Sequence, residues 1–249
     1  KIADGSGSSA TNVFAEGSGN VIARGPRSNA SCSIAMGANN HIADGSGSNA
    51  TYAIALMGGS GAGNRNHIAD GSGSRAGHAF AMGAGHFIAL GTRSMAENAV
   101  AMGANNKIAA GTDSSANYAI AIGSSNNIAG GTKSYADYAF ADGCGNIIAQ
   151  DGHHATCSIA MGAENTVNTS YAIALGTGNA IGSGDKMYAL GALAVGSDNK
   201  IATRAFGGDA DGANYAVTLG SGNKVQRPYA IAMGQNNFIA DGSGSTAGH

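Results

Sequence analysis

The stretch YAIAIGSSNNIAGGTKSYAD, residues 118–137, contains the pattern that decides the fold. It holds two short apolar runs, residues 118–122 and 127–129, and a glycine follows each of them, at Gly123 and Gly130. Both runs are too short for a helix and are bounded by glycine, serine and asparagine, so they are predicted to be β-strands. In the first run, side chains alternate between a bulky apolar face and an alanine face, as expected for a strand.

The first apolar run and its closing glycine recur along the whole chain. Five of the eleven spacings between successive closing glycines are 20 residues, as from Gly103 to Gly123. Two others are 14 residues, as from Gly220 to Gly234. These glycines are Gly17, Gly37, Gly58, Gly83, Gly103, Gly123, Gly143, Gly162, Gly176, Gly196, Gly220 and Gly234. A recurring period of this length is the mark of a repeat architecture, in which each unit buries its apolar side chains only by stacking on its neighbours.

Residues 1–249 are therefore predicted to form one all-β, parallel β-solenoid of about twelve coils. Both strands are retained in the 14-residue coil, so the 20-residue coil carries a six-residue extension, such as residues 131–136, which forms a loop or a third short side. With coils spaced at about 4.8 Å, twelve of them make a rod roughly 60 Å long. The chain begins and ends within a repeat, and we expect it to be a segment of a longer protein.

Composition argues against several other classes of protein. The 42 glycines do not fall at every third position and there are only two prolines, which excludes collagen. The net charge is −2 without a basic run, so nothing favours nucleic acid as a partner, and no apolar stretch is long enough to span a membrane. Acidic residues are few and no nucleophile, phosphate-binding or zinc motif is present, so we expect neither an enzyme nor a cofactor.

The repeated motif resembles that of a known family of surface proteins. Residues 33–37, SIAMG, and residues 119–131, AIAIGSSNNIAGG, are similar to the head repeats of the YadA-like trimeric autotransporter adhesins. The resemblance covers nearly the whole chain and occurs about a dozen times. It implies a left-handed β-roll with 14- to 20-residue coils, packed as a homotrimer.

The same resemblance implies a function and a location. The chain would be the head or shaft of an extracellular adhesin that binds host matrix, glycan or cell-surface ligands, anchored in the outer membrane through parts absent from this segment. The 20-residue period departs from the family's usual 14-residue coil, so a three-sided solenoid closed by a single chain stays open as an alternative. In that case the protein would be a monomeric or filament-forming solenoid, such as an extracellular matrix fibre, a phage fibre or an ice-binding adhesin domain.

The six-residue extension carries a repeated pair of hydroxyl residues that could form a binding surface. If the coils stack in register, these pairs make two parallel columns on one face, suited to glycans or ice. The alternative is that the second serine of each pair hydrogen-bonds to its own turn. The candidate residues are Ser46, Ser48, Ser72, Ser74, Thr92, Ser94, Thr112, Ser114, Thr132 and Ser134.

Three further columns accompany the first strand. Tyrosines precede it at positions 52, 118, 138, 171, 215 and 229, where they could bind sugars or cap an apolar column. Methionines at positions 36, 82, 102, 161 and 233 share one slot and are expected to fill a core or an interface. The alanines on the opposite face allow close backbone approach, either inside the coil or between chains.

No metal site is expected. His41 and His67 occupy the same slot of neighbouring coils, but Lys107 takes that slot further along, which favours a solvated column. Asp209 and Asp211 resemble the start of a calcium loop whose other ligands are missing. The three cysteines are too few and too scattered for a disulfide framework.

Overall fold

The computed structural model describes residues 2–57, 65–183, 189–202 and 212–239. Within these residues the protein is a parallel β-solenoid without helices, which confirms the predicted fold class. Each coil contributes one strand to each of two twelve-stranded sheets, and all pairings are parallel. Asp209 and Asp211, considered above as calcium ligands, lie outside the described residues, as does Gly58.

One twelve-stranded sheet, named here the long-strand sheet, is built from the alanine-rich run of each coil. With strands numbered in chain order, its members are β2 (Phe14–Glu16), β5 (Ile34–Gly37), β8 (Ile54–Met57), β10 (Phe80–Ala84), β12 (Val100–Ala104), β14 (Ile120–Ser124), β16 (Phe140–Cys144), β18 (Ile159–Ala163), β20 (Ile173–Thr177), β22 (Leu193–Ser197), β24 (Val217–Ser221) and β26 (Ile231–Gln235). Equivalent residues of successive coils pair directly, as in Ala101 with Ala121 and Gly103 with Gly123.

The second twelve-stranded sheet, the short-strand sheet, is built from the asparagine–isoleucine run. Its members are β3 (Val21–Ile22), β6 (His41–Ile42), β9 (His67–Ile68), β11 (Phe87–Ile88), β13 (Lys107–Ile108), β15 (Asn127–Gly130), β17 (Ile147–Gln150), β19 (Thr166–Val167), β21 (Ala180–Ile181), β23 (Lys200–Ile201), β25 (Lys224–Val225) and β27 (Phe238–Ile239). The isoleucine or valine of each strand points into the coil, and from Ile22 to Val225 these side chains are fully buried.

The six-residue extension forms a third side, one of the two possibilities left open by the sequence. It begins as a three-stranded sheet of β1 (Ser9–Thr11), β4 (Asn29–Ser31) and β7 (Asn49–Thr51). It continues as single parallel bridges from Arg75 through Tyr135 to His154. Alanines of this side, including Ala116 and Ala136, are buried, so each 20-residue coil closes around a core supplied by its own chain.

The closing glycines allow the coils to approach closely. Gly123 has a φ of +101°, and a Cβ atom added there would lie closer than 3.0 Å to the carbonyl oxygen of Gly143 in the next coil. An alanine would therefore meet both an unfavourable backbone conformation and a steric clash. In one coil Met57 occupies this slot, with a φ of +79°, where the sequence pattern assigns Gly58.

A column of asparagines, the asparagine ladder, connects the coils along the short-strand side and is buried from Asn20 to Asn223. The backbone N–H of Asn126 donates to Oδ1 of Asn106 in the preceding coil (3.0 Å), and Oδ1 of Asn126 accepts the N–H of Asn146 in the next coil (3.0 Å). Nδ2 of Asn126 also donates to the Ile122 carbonyl at 2.7 Å. The ladder consists of Asn20, Asn40, Asn66, Asn106, Asn126, Asn146, Asn165, Asn179, Asn199, Asn223 and Asn237, with His86 in one position.

His86 reproduces part of this pattern with an imidazole ring. Its Nδ1 accepts the N–H of Asn106 at 3.3 Å, so its Nε2 carries the proton and donates to the Met82 carbonyl at 3.1 Å. The ring is fully buried, and burial lowers its pKa below 6.5 despite favourable contacts with the backbone of Met82 and Gly103.

The glycine slot provides the first test. We expect Gly123→Ala to lower the free energy of unfolding by about 3 kcal/mol or more, because backbone strain and steric overlap act together. The matched control is Gly47→Lys. Gly47 has a φ of +67° but no neighbour within 4 Å of an added Cβ, and Lys133 occupies the equivalent slot with a φ of +57°, so only the conformational cost of about 1 to 2 kcal/mol is expected. Urea unfolding measures both, and equal losses would contradict the close-approach argument.

The histidine in the ladder provides a second test. Because the pKa of His86 is lower in the folded protein, its contribution to stability is complete above the unfolded value of 6.5 and is lost as the pH falls below it. We expect His86→Asn to remove this pH dependence. The difference in the free energy of unfolding between the variant and the wild type should therefore shift in favour of the variant from pH 7.5 to pH 5. Urea unfolding at both pH values measures the difference, and a pH-independent difference would show that His86 does not titrate as described.

Candidate binding surfaces

The predicted hydroxyl columns differ sharply in their exposure. The first member of each pair, Ser46, Ser72, Thr92, Thr112 or Thr132, is exposed. The second member, Ser48, Ser74, Ser94, Ser114 or Ser134, is buried. Of the two possibilities that the sequence left open, the serines of the second column follow the one in which they are buried in their own turns, and a single exposed column of hydroxyls remains. Whether that column binds a ligand stays a prediction.

The buried serines close the turns in which they lie. Oγ of Ser114 accepts the N–H of Gly111 at 3.1 Å and donates back to the carbonyl of Gly111 at 2.9 Å. Ser48 and Gly45 make the same reciprocal pair at 3.1 and 2.7 Å. These hydroxyls satisfy backbone groups of a tight turn, which is the structural role considered for them from the sequence.

An extensive apolar surface lies on the outer face of the long-strand sheet. Two columns of large side chains run along this face, each half-buried or exposed. The first consists of Phe14, Ile34, Ile54, Phe80, Val100, Ile120, Phe140, Ile159, Ile173, Leu193, Val217 and Ile231. The second consists of Met36, Leu56, Met82, Met102, Ile122, Met161, Leu175, Val195, Leu219 and Met233, interrupted by the acidic residues Glu16 and Asp142. We call these two columns the apolar face.

The position of the apolar face shows that the alanine side of the long strands faces the interior of the coil. The alanines of the long-strand sheet, such as Ala101 and Ala121, are fully buried inside the coil. The bulky residues of the same strands therefore point outward, and the predicted methionine slot belongs to the outer surface of the chain. At about 4.8 Å per coil, the apolar face is roughly 50 Å long.

The tyrosines form a column at the turn that precedes the long strands. Each has a positive φ, and the rings of adjacent coils stack where both coils carry one. The ring centroids of Tyr118 and Tyr138 are 4.9 Å apart with an interplanar angle of 2°, and those of Tyr215 and Tyr229 are 5.5 Å apart. All six tyrosines are exposed by at least half of their surface, so flat aromatic rings are displayed beside the apolar face.

His41 and His67 are paired in register, as the sequence predicted. The expectation that they are solvated is wrong for His41, which is buried. Nδ1 of His41 lies 2.7 Å from the carboxylate of Asp44, which also forms an ion pair with Arg24 at 2.7 Å. Burial alone would raise the pKa of Asp44, but the hydrogen bond from His41 and the charge of Arg24 together hold it below its usual value.

The asparagine ladder was not predicted from the sequence, in which asparagine pairs such as Asn39–Asn40 are typical of left-handed turns. In the pairs that begin at Asn39 and Asn105, the first residue does adopt that conformation, with a positive φ. The second residue, Asn40 or Asn106, is buried and connects coils. The signal that could have found it is the near-invariance of this second position from coil to coil, which turn geometry alone does not require.

Comparison with protein-family models and with characterised proteins finds no match for this chain. The candidate surfaces are therefore interpreted from their own chemistry. Within the part of the chain that the structure describes, no helix has the length and apolar character to cross a membrane.

The two hydroxyl columns can be separated by substitution within one coil. We expect Ser114→Ala to lower the free energy of unfolding by about 1 to 2 kcal/mol, because two half-buried backbone groups of Gly111 lose a partner. Thr112→Ala, two positions away on the exposed column, should change it by less than about 0.5 kcal/mol. Thermal or urea unfolding of both variants checks the difference, and a reversed order would contradict the assignment of Ser114 to the turn.

Proposed function

We propose that this chain is a head or shaft segment of an extracellular adhesin, a structural protein that assembles with further copies of itself and presents repeated surfaces for attachment. The observation that carries the proposal is the apolar face. Parallel sheets in proteins are normally covered on both faces, and an exposed apolar strip of this length is typical of an interaction surface. The long-strand sheet is covered on its inner face by the rest of the coil, while its outer face is open in the single chain.

Copies of the same chain suit this face for a geometric reason. The face repeats at the spacing of the coils, so a parallel copy presents matching columns over its whole length. Three chains packed through such faces give the homotrimer implied by the resemblance to YadA-like head repeats. The resemblance also supports a location at the cell surface, with anchoring supplied by other parts of a longer protein.

Attachment is assigned to the surfaces that self-association leaves free. The third side and the turns beside it carry the exposed hydroxyls of Thr92, Thr112 and Thr132. Hydroxyl groups recurring at a fixed spacing suit glycans and matrix proteins, which themselves present repeated polar groups. The protein would bind through many weak, equivalent contacts.

A specific observation favours the alternative, a monomeric or filament-forming solenoid. The third side closes each 20-residue coil over buried alanines of its own chain, so the core is complete without a partner. The ice-binding form of this alternative has weaker support than the sequence suggested, because only one hydroxyl column is exposed.

The test is the number of chains in each particle, measured by sedimentation and light scattering. We expect the wild type to contain three chains, and the double variant Met102→Glu with Ile122→Glu to dissociate because buried carboxylates oppose the interface. Asp142 already occupies the slot of Ile122 in the next coil, so an acidic residue there is compatible with the fold. Wild-type particles should also be retained on surfaces coated with matrix protein or glycan.

The matched control is Thr112→Glu with Thr132→Glu, which adds the same charge to adjacent coils on the exposed hydroxyl column. This variant should keep the wild-type mass. A monodisperse wild-type monomer that attaches to none of the coated surfaces would overturn the adhesin proposal, and a monomer with the same fold would support the alternative.

A further inference from the structure

The sequence His-Ile-Ala-Asp occurs twice, at residues 41–44 and 67–70. The two copies lie in adjacent coils of the short-strand sheet, and His41 pairs directly with His67. Both histidines therefore occupy the outward slot of their strands, and each has an aspartate three positions later in the same turn. In-register stacking thus places two imidazoles and two carboxylates together.

We propose that His41, His67 and Asp70 bind a divalent transition-metal ion of the Zn²⁺ type. One ring nitrogen of each histidine and one carboxylate oxygen of Asp70 all lie within 4.8 Å of one another. The two rings have centroids 4.8 Å apart and are tilted by 43°. Two imidazoles and one carboxylate are a common ligand set for zinc and related ions, and water completes the coordination.

Asp44 supports this site by orienting His41. Its carboxylate is only 3% exposed and receives two hydrogen bonds from Arg24, at 2.7 and 2.9 Å. An ionised carboxylate accepts hydrogen bonds only, so its 2.7 Å contact with His41 places the proton on Nδ1 of the ring. The lone pair then lies on Nε2, available to a metal ion. A carboxylate that holds a ligand histidine in this way is a frequent feature of zinc sites.

The equivalent positions in the neighbouring coils supply no further ligand, so the site is confined to these two coils. Val21 and Phe87 occupy the same slot on either side of the histidine pair, and neither side chain can bind a metal ion. The ring of Phe87 stacks on His67 at 5.0 Å. The side chains of His67 and Asp70 are 14% and 17% exposed, so an ion can enter from solvent while most of its surroundings remain dry.

A metal ion at this site would link two coils of the solenoid. His41 and His67 are further apart along the chain than the equivalent pair Lys107 and Asn127, because a longer excursion lies between the two histidine coils. A bound ion would fasten these two coils to each other on the short-strand side. Metal binding is therefore expected to stabilise the fold beside this excursion, since an ion that binds only the folded state adds to stability.

The test is a calorimetric titration of the chelator-treated full chain with Zn²⁺. We expect one ion per chain, and a melting temperature that rises with Zn²⁺ concentration. His67→Phe should weaken binding at least about 100-fold, and Asp44→Asn by about 10- to 100-fold through loss of orientation. Because phenylalanine occupies the same slot at Phe87, His67→Phe is compatible with the fold, which circular dichroism verifies.

The matched control is His154→Phe, which removes an exposed histidine in another coil and should leave the titration unchanged. Co²⁺ substitution provides a second readout, since histidine and carboxylate ligation gives a visible absorption spectrum that His67→Phe should abolish. The absence of Zn²⁺ binding by the wild type, or equal binding by His67→Phe, would overturn the proposal.

Discussion

Every feature of this protein depends on coils stacking in register, with equivalent residues directly above one another. A single coil is too short to bury an apolar core, and its interior is filled mainly by alanine and one isoleucine. Such small side chains bury little apolar area per coil, so backbone pairing between coils must supply much of the cohesion. The asparagine ladder adds a side-chain connection at each step, where a buried amide joins the coil before it to the coil after it.

The same constraint explains why the large apolar residues are on the outside. The closing glycines bring successive backbones so close that a Cβ atom added at Gly123 would overlap the next coil, and the narrow interior is filled by alanines with one isoleucine or valine from each short strand. The bulky partners of those alanines are consequently displayed on the outer face of the long-strand sheet. In this arrangement the core is packed by the chain's own residues, while the large apolar side chains on the outer face stay uncovered. This uncovered surface is the physical basis for proposing that further copies of the chain cover the apolar face.

Much of this architecture could be predicted from the sequence because the repeat is strict. The spacing of the closing glycines identified the strands, the parallel stacking and the shared slots of the methionines and of His41 with His67. Sequence reasoning could not decide which face of the Ala101 strand is interior. Alternation shows that the strand has two different faces, but it does not show which of them is buried. Sequence reasoning also could not decide whether Ser114 faces solvent, because a serine that closes its own turn has the same sequence signature as an exposed one.

The stacking register can be tested most directly through the hydrogen bonds of the asparagine ladder. Scalar coupling across a hydrogen bond, measured by nuclear magnetic resonance, connects a backbone amide nitrogen to the carbon of the group that accepts its proton. In-register stacking predicts couplings from the amide of Asn126 to the side-chain carbonyl carbon of Asn106, and from that of Asn179 to Asn165, although neither pair is close in sequence. Couplings to other residues, or none at all for these buried amides, would contradict the stacked solenoid.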